Sequence, residues 1–181
     1  TMKELVEIES GSADYAGLEK IANLLAEKLK ALGAKTELVE AGPEIYKMFD
    51  TPEKIGRMVR ATFTGTGTRK ILLIAHMDTV YPPGMLSGQP FKIEGDRAYG
   101  LGIADNKHGI ALIMHTLAML RTLNFREYGT LTVLINGDEE ISSPGSRFLI
   151  EKLGREHDAV LSFEGGGGPK ADQIRLATSG I

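Results

Sequence analysis

Three apolar runs in this chain each end directly in side chains that can bind metal or move protons. Ile71-Leu72-Leu73-Ile74-Ala75 runs into His76-Met77-Asp78. The run ending at Ile135 leads into Asn136-Gly137-Asp138-Glu139-Glu140, and the run ending at Phe163 leads into Glu164. A fourth contributor, Asp105, follows Gly100-Leu101-Gly102-Ile103-Ala104 at the entrance to a helical pattern. So many carboxylates in one crevice would repel each other at neutral pH unless a proton or a cation intervened. A divalent metal removes the conflict, and one imidazole among several carboxylates suits zinc, with manganese or cobalt as alternatives. Two metals ~3.5–4 Å apart, bridged by one carboxylate, form a known hydrolytic arrangement. Asp78 is placed to hold the second ring nitrogen of His76, which fixes the tautomer of a ligand histidine. Glu139 and Glu140 leave a strand in different directions, so one can bind metal while the other acts as a base.

Taken singly, each of these residues has a plainer reading. His76 could be a polar strand end, Asp138-Glu139-Glu140 a solvated acidic turn, Asp105 a helix cap and Glu164 a loop residue. Their common position, just beyond a buried strand, favours a shared site, because open α/β sheets bind ligands beyond the carboxyl ends of their strands. His115 reads as a half-buried residue of an apolar helix and His157 as solvent-facing; neither is expected as a ligand. Gly100-Leu101-Gly102 has Asp105 where a dinucleotide fingerprint needs its last glycine, residues 65–70 lack the spacing of a phosphate loop, and Ser142, Ser143 and Ser146 form no nucleophile elbow.

The elements needed to position the site follow from periodicity. Leu18, Ile21, Leu25, Leu29 and Leu32 form one helical stripe over residues 14–32, with Asp14 as N-cap and Gly33 as stop. Strands are expected at 35–40, 56–64, 70–75, 130–135, 159–163 and 173–178, with helices at 107–123 and 146–153. A short hairpin is expected around Gly95-Asp96, loops at 41–55 and 81–102, and a flexible tetraglycine at 165–168. Alternating helices and apolar strands indicate an α/β three-layer sandwich with a mostly parallel or mixed sheet covered by helices.

Composition agrees and excludes other classes. The 181 residues are 42% hydrophobic and 25% charged, the balance of one globular domain. A net charge of −3 argues against a nucleic-acid surface, and no apolar run is long enough to span a bilayer. The first residues begin no signal peptide, which leaves the compartment open between cytoplasm and periplasm. With no cysteine, thiolate zinc sites and disulfides are impossible, so any metal is held by His, Asp and Glu.

His76-Met77-Asp78-Thr79-Val80-Tyr81, Gly102-Ile103-Ala104-Asp105, Asp138-Glu139-Glu140 and Leu161-Ser162-Phe163-Glu164 have the order and spacing of a known family. The chain resembles the binuclear zinc peptidases that include glutamate carboxypeptidase (glucarpidase), acetylornithine deacetylase and aminoacylase, and it is most similar to the first of these. That likeness extends to Glu94-Gly95-Asp96-Arg97-Ala98-Tyr99-Gly100, Gly145-Ser146-Arg147 and Thr178-Ser179-Gly180-Ile181. The resemblance implies that His76 and Glu164 bind one zinc, Glu140 the other, and Asp105 both. It implies that Asp78 orients His76, that Glu139 is the general base, and that the Asp105-Asn106 peptide is cis. Asn106 stands where the family commonly has Asp, and His108 where a small residue is usual; neither is given a role.

The implied activity is hydrolysis of an amide bond next to a free carboxylate, in a small peptide or N-acyl amino acid, as by a carboxypeptidase releasing C-terminal glutamate. Residues 1–181 correspond to the N-terminal portion of the catalytic domain. An inserted dimerisation and lid domain, and a C-terminal segment with a last His ligand, are expected outside this chain, and the complete enzyme is expected to be a homodimer. The alternative is a catalytically incomplete metal-binding or assembly domain that needs a partner chain.

Overall fold

The computed structural model describes residues 1–165. The strand expected at 173–178, the closing motif at 178–181 and most of the tetraglycine lie outside the described residues.

The chain opens with a short helix, α1 (Met2–Val6), whose Leu5 and Val6 are buried. Five residues are too few to show periodicity, and the sequence did not announce it. Helix α2 (Tyr15–Ala31) follows the expected stripe: Leu18, Ile21, Leu25 and Leu29 are fully buried. Each contributes on the order of 1.5–3 kcal/mol by leaving water. Asp14 caps it by accepting a hydrogen bond from the Gly17 amide at 3.0 Å, and Gly33 ends it with a φ of 104°.

Five strands then form the main sheet: β1 (Lys35–Val39), β2 (Met58–Thr64), β3 (Lys70–His76), β6 (Thr130–Asn136) and β7 (Ala159–Ser162). Between β3 and β6 lie a hairpin, β4 (Lys92–Glu94) with β5 (Arg97–Tyr99), and helix α3 (His108–Thr122); helix α4 (Arg147–Glu156) joins β6 to β7. The sheet order is β1-β2-β6-β3-β7. β1–β2 and β2–β6 are antiparallel, whereas β3 is parallel to both β6 and β7. The sheet is therefore mixed, as expected.

Alternation along each strand feeds two separate cores. Leu73, Ala75, Val133, Ile135, Val59 and Ala61 pack with α2 and α3 on one face. Leu72, Leu134 and Met58 pack with Leu153 of α4 on the other. The result is a three-layer α/β sandwich. Because α3 and α4 lie on opposite faces, the chain leaves β3 to pair β6 on one side and returns to pair β7 on the other. This is the topological switch point at which such folds leave a crevice beyond their strand ends.

Candidate metal centre

β3, β6 and β7 are neighbours, so the residues just past their carboxyl ends meet. His76 is the last residue of β3 and pairs in register with Asn136, the last of β6. Asp138 starts the turn holding Glu139 and Glu140, and Glu164 follows β7 by two residues. Asp105 arrives from a wide helical turn, Ile103–Lys107, in which it has non-helical φ of −137° and ψ of 95°. The Asp105–Asn106 peptide bond is cis. Gly102 starts this turn in the left-handed region with φ of 68°; a Cβ there would also meet Thr79 Cγ2, so the position demands glycine.

The His76 ring is buried and aims Nε2 at the crevice. Nε2 lies 3.0 Å from Asp105 Oδ1, 3.2 Å from Glu164 Oε2 and 3.8 Å from Glu139 Oε2. Donor atoms of His76, Asp105 and Glu164 all fall within 4.8 Å of one another. On the far side of the ring, Nδ1 donates to the Asp78 carbonyl at 3.1 Å and lies 3.3 Å from Asp78 Oδ1. Asp78 is wholly buried, and its carboxylate also accepts the backbone amides of Glu139 and Glu140, each at 3.1 Å, and the Ser12 hydroxyl at 2.8 Å. One carboxylate thus ties the histidine of one strand end to the acidic turn of the next.

The charges respond to this crowding. Burial opposes charge on His76, but the hydrogen bonds to Asp78 and Glu164 outweigh it and push its pKa up to about 11. Burial first, then the neighbouring charge of Asp105, raises Glu140 to about 7. Glu139 is raised chiefly by burial. Burial would also raise Glu164, yet its contact with His76 brings it below the usual carboxylate value. In effect a proton on His76 occupies the position a cation would take. An imidazole nitrogen and two carboxylates converging on one point, with the ring fixed from behind, form a donor set that suits a divalent metal.

The profile of peptidase family M20/M25/M40 matches residues 72–177. The chain belongs to this family. Carboxypeptidase G2 of Pseudomonas sp. strain RS-16 is 41% identical over 184 residues, covering 100% of this chain and 41% of its own length. An acetylornithine deacetylase of Proteus mirabilis is 34% identical over 150 residues, covering 81% of this chain and 35% of its own. Among solved structures, the M20 family metallo-carboxypeptidase Sso-CP2 from Sulfolobus solfataricus superposes with a TM-score of 0.75 at 26% identity, covering 94% of this chain and 38% of that one. The chain therefore spans about two-fifths of the length of these relatives.

On this M20 scaffold the structure brings His76, Asp105 and Glu164 together, with Glu139 beside them and Asp78 behind the ring. The Glu140 carboxylate stands outside the three-residue group but close enough to Asp105 to feel its charge. Asp105 does not cap α3: its residues 103–107 form a separate turn, the cap position falls to Lys107, and no side chain caps that end. His115 is exposed rather than half-buried, since it shares the outward stripe of α3 with Leu112 and Met119. His157 is half-buried rather than solvent-facing, with Nδ1 2.6 Å from the Leu153 carbonyl and Nε2 2.8 Å from Thr132 Oγ1.

Sequence reasoning missed three participants. Ser12 holds Asp78 from 66 residues away. Asn106 is buried and donates to Glu164 Oε2 at 3.1 Å, while its own Oδ1 finds no partner among the described residues. Asp138 faces inward, accepting from the amides of Gly145 and Ser146 and from Asn136 Nδ2. Asp138 carried a signal as an acidic residue two positions past a buried strand, and Asn106 as a departure from the family pattern; Ser12 carried none.

Proposed function

We propose that this chain supplies most of the ligands of a two-zinc centre for hydrolysis of an amide bond next to a free carboxylate. The observation that carries the reading is the convergence of His76 Nε2, Asp105 and Glu164 within 4.8 Å, at the ends of β3 and β7 and in the turn that enters α3. His76 and Glu164 would hold one zinc, Glu140 the second, and Asp105 both; cobalt or manganese would fit the same donors. When bound, the metals would supply Lewis-acid polarisation of the scissile carbonyl.

The remaining chemistry belongs to the chain's own groups. Glu139 Oε2 is half-exposed at the crevice and 3.8 Å from His76 Nε2, within reach of a water attacking the carbonyl. Its raised pKa suits a base that takes a proton from that water and hands it to the leaving amine. Asp78 fixes the His76 ring by its Nδ1 side and, through two backbone amides, fixes the turn that carries Glu139. The substrate would be a small peptide or N-acyl amino acid. Identity to Carboxypeptidase G2 supports a carboxypeptidase activity; release of C-terminal glutamate and a homodimeric complete protein are proposed on the family resemblance alone.

The deciding experiment is zinc bound per chain after equilibration and dialysis, by elemental mass spectrometry, for the wild type and His76→Ala. Zinc retained by the wild type and lost in the variant is expected. A wild-type chain without zinc, or a variant that keeps it, would overturn the site.

A second reading is a metal-binding or assembly domain that acts only with a partner chain. It is favoured by β7, which among the described residues is an edge strand, with Val160 45% and Leu161 50% exposed. Recovery of amide hydrolysis on mixing with a chain matching the rest of the relatives' length would support it; turnover by this chain alone would exclude it.

A further inference from the structure

Residues 8–12 run beneath the candidate metal centre and hold two of the segments that supply its ligands, the one after β3 and the turn at 103–107. Ser10 Oγ donates to the Met77 carbonyl at 2.7 Å, and the Thr79 amide donates to the Ser10 carbonyl at 2.9 Å. The Ser12 amide donates to the Thr79 carbonyl at 3.2 Å. Gly11 and Thr79 form an isolated parallel bridge, and the approach is so close that a Cβ on Gly11 would meet the Tyr81 carbonyl. On the other side, buried Lys107 donates through Nζ to the Ile8 carbonyl at 2.7 Å, tying the turn that carries Asp105 to the same segment.

The end of this segment makes the most consequential contact. The Ser12 hydroxyl donates to Asp78 Oδ2 at 2.8 Å, and both residues are buried. Asp78 Oδ1 faces His76 Nδ1 and accepts the Glu139 amide, while Oδ2 takes Ser12 and the Glu140 amide. A buried carboxylate keeps one orientation only while its lone pairs are matched by donors. Removing the hydroxyl would leave Oδ2 held by the Glu140 amide alone, so the carboxylate and the His76 ring it orients would be less well fixed. Partners that orient a metal-ligating histidine typically change metal affinity about 10–100-fold when removed.

We propose that Ser12 is a positioning residue of the metal centre: through Asp78 it sets the orientation of His76, so that a segment 66 residues away in sequence tunes metal affinity. This rests on the metal-centre reading above, and the test separates the two.

The affinity of the full chain for Zn2+ alone would be measured at fixed pH by competition with a chromophoric chelator, for the wild type, Ser12→Ala and Ser12→Thr. The ring 15N resonances of His76 would be recorded without metal, with His108, His115 and His157 as internal references. Ser12→Ala is expected to weaken Zn2+ binding about tenfold and to move the His76 ring resonances while those of His157 stay in place. Ser12→Thr, which keeps the hydroxyl, is expected to return affinity to within about threefold of the wild type. The thermal midpoint of the metal-free chain separates positioning from general loosening. An affinity loss that tracks a lowered midpoint, with all four histidines shifted, would overturn the proposal, as would an unchanged affinity in Ser12→Ala. If the wild type bound no Zn2+, the metal reading would fall by itself. The ring resonances would still decide Ser12: displacement of His76 alone supports the positioning role, and no displacement refutes it.

Discussion

At the scale of single residues, the centre is a contest between a proton and a cation. His76 holds a proton up to about pH 11 because Asp78 and Glu164 overcome its burial, and Glu140 is half-protonated near pH 7 because burial and Asp105 disfavour its charge. Both groups must shed protons to act as ligands, so metal binding should release between about one and two protons at pH 7. Affinity should then rise with pH, about tenfold per unit for each proton displaced. Calorimetry in buffers of different ionisation enthalpy measures the release directly. Affinity flat between pH 6 and pH 8 would show that these residues are not the ligands. Glu139 is a different case, because in the reading above it handles protons without holding metal. Glu139→Gln should retain zinc and lower turnover about 10²–10⁴-fold in the protein that carries this chain. Loss of zinc in that variant would make Glu139 a ligand instead.

At the scale of elements, the turn after β6 shows which features a sequence announces and which it hides. Asp138 is 1% exposed and accepts from Gly145 N at 2.7 Å, Ser146 N at 3.0 Å and Asn136 Nδ2 at 3.0 Å. Asp138→Ala would leave three buried donors unmatched and should cost about 3 kcal/mol of unfolding free energy, measured by urea denaturation. A cost under about 1 kcal/mol would mean that water or a backbone shift replaces the carboxylate. The strands were legible because β3 and β6 are buried on both faces and read as unbroken apolar runs. The candidate ligands His76 and Glu140 were legible because they stand one and five positions past the apolar runs ending at Ala75 and Ile135. Ser12 was not, since a hydroxyl contact across 66 residues leaves no local trace. The outward face of α3 misled for a related reason. Leu112 and Met119 are 52% and 57% exposed, so hydropathy alone did not show that His115 shares their side. The cis Asp105-Asn106 peptide was expected from the family resemblance, but the helical turn at 103–107 around it was not, since its residues carry no periodic pattern of their own.

At the scale of the whole molecule, the α2–α3 layer, the mixed sheet and the α4 layer fix the strand ends, while the path before α2 braces them from below. Among the described residues no helix is long and apolar enough to cross a membrane. Lys107 shows the cost of the bracing. It is 2% exposed, and burial lowers its pKa to about 8 against the partly opposing pull of Glu9. The unfolded chain would keep the proton to about pH 10.5, the ordinary value for lysine. Below pH 8 the folded chain carries a buried ammonium whose only hydrogen-bond partner among the described residues is the Ile8 carbonyl, and the full penalty applies. Between pH 8 and pH 10.5 the unfolded state binds more protons than the folded one, so this contribution makes stability rise with pH. The full relief is about 3 kcal/mol. Other lysines and tyrosines titrate in the same window, so the measurement is a difference. The unfolding free energy of the wild type minus that of Lys107→Met should grow by about 2–3 kcal/mol from pH 7 to pH 10. A difference that stays constant would mean that Lys107 keeps its charge in the fold, and that the ammonium holding residue 8 to the Asp105 turn is stabilised by more than the burial seen here.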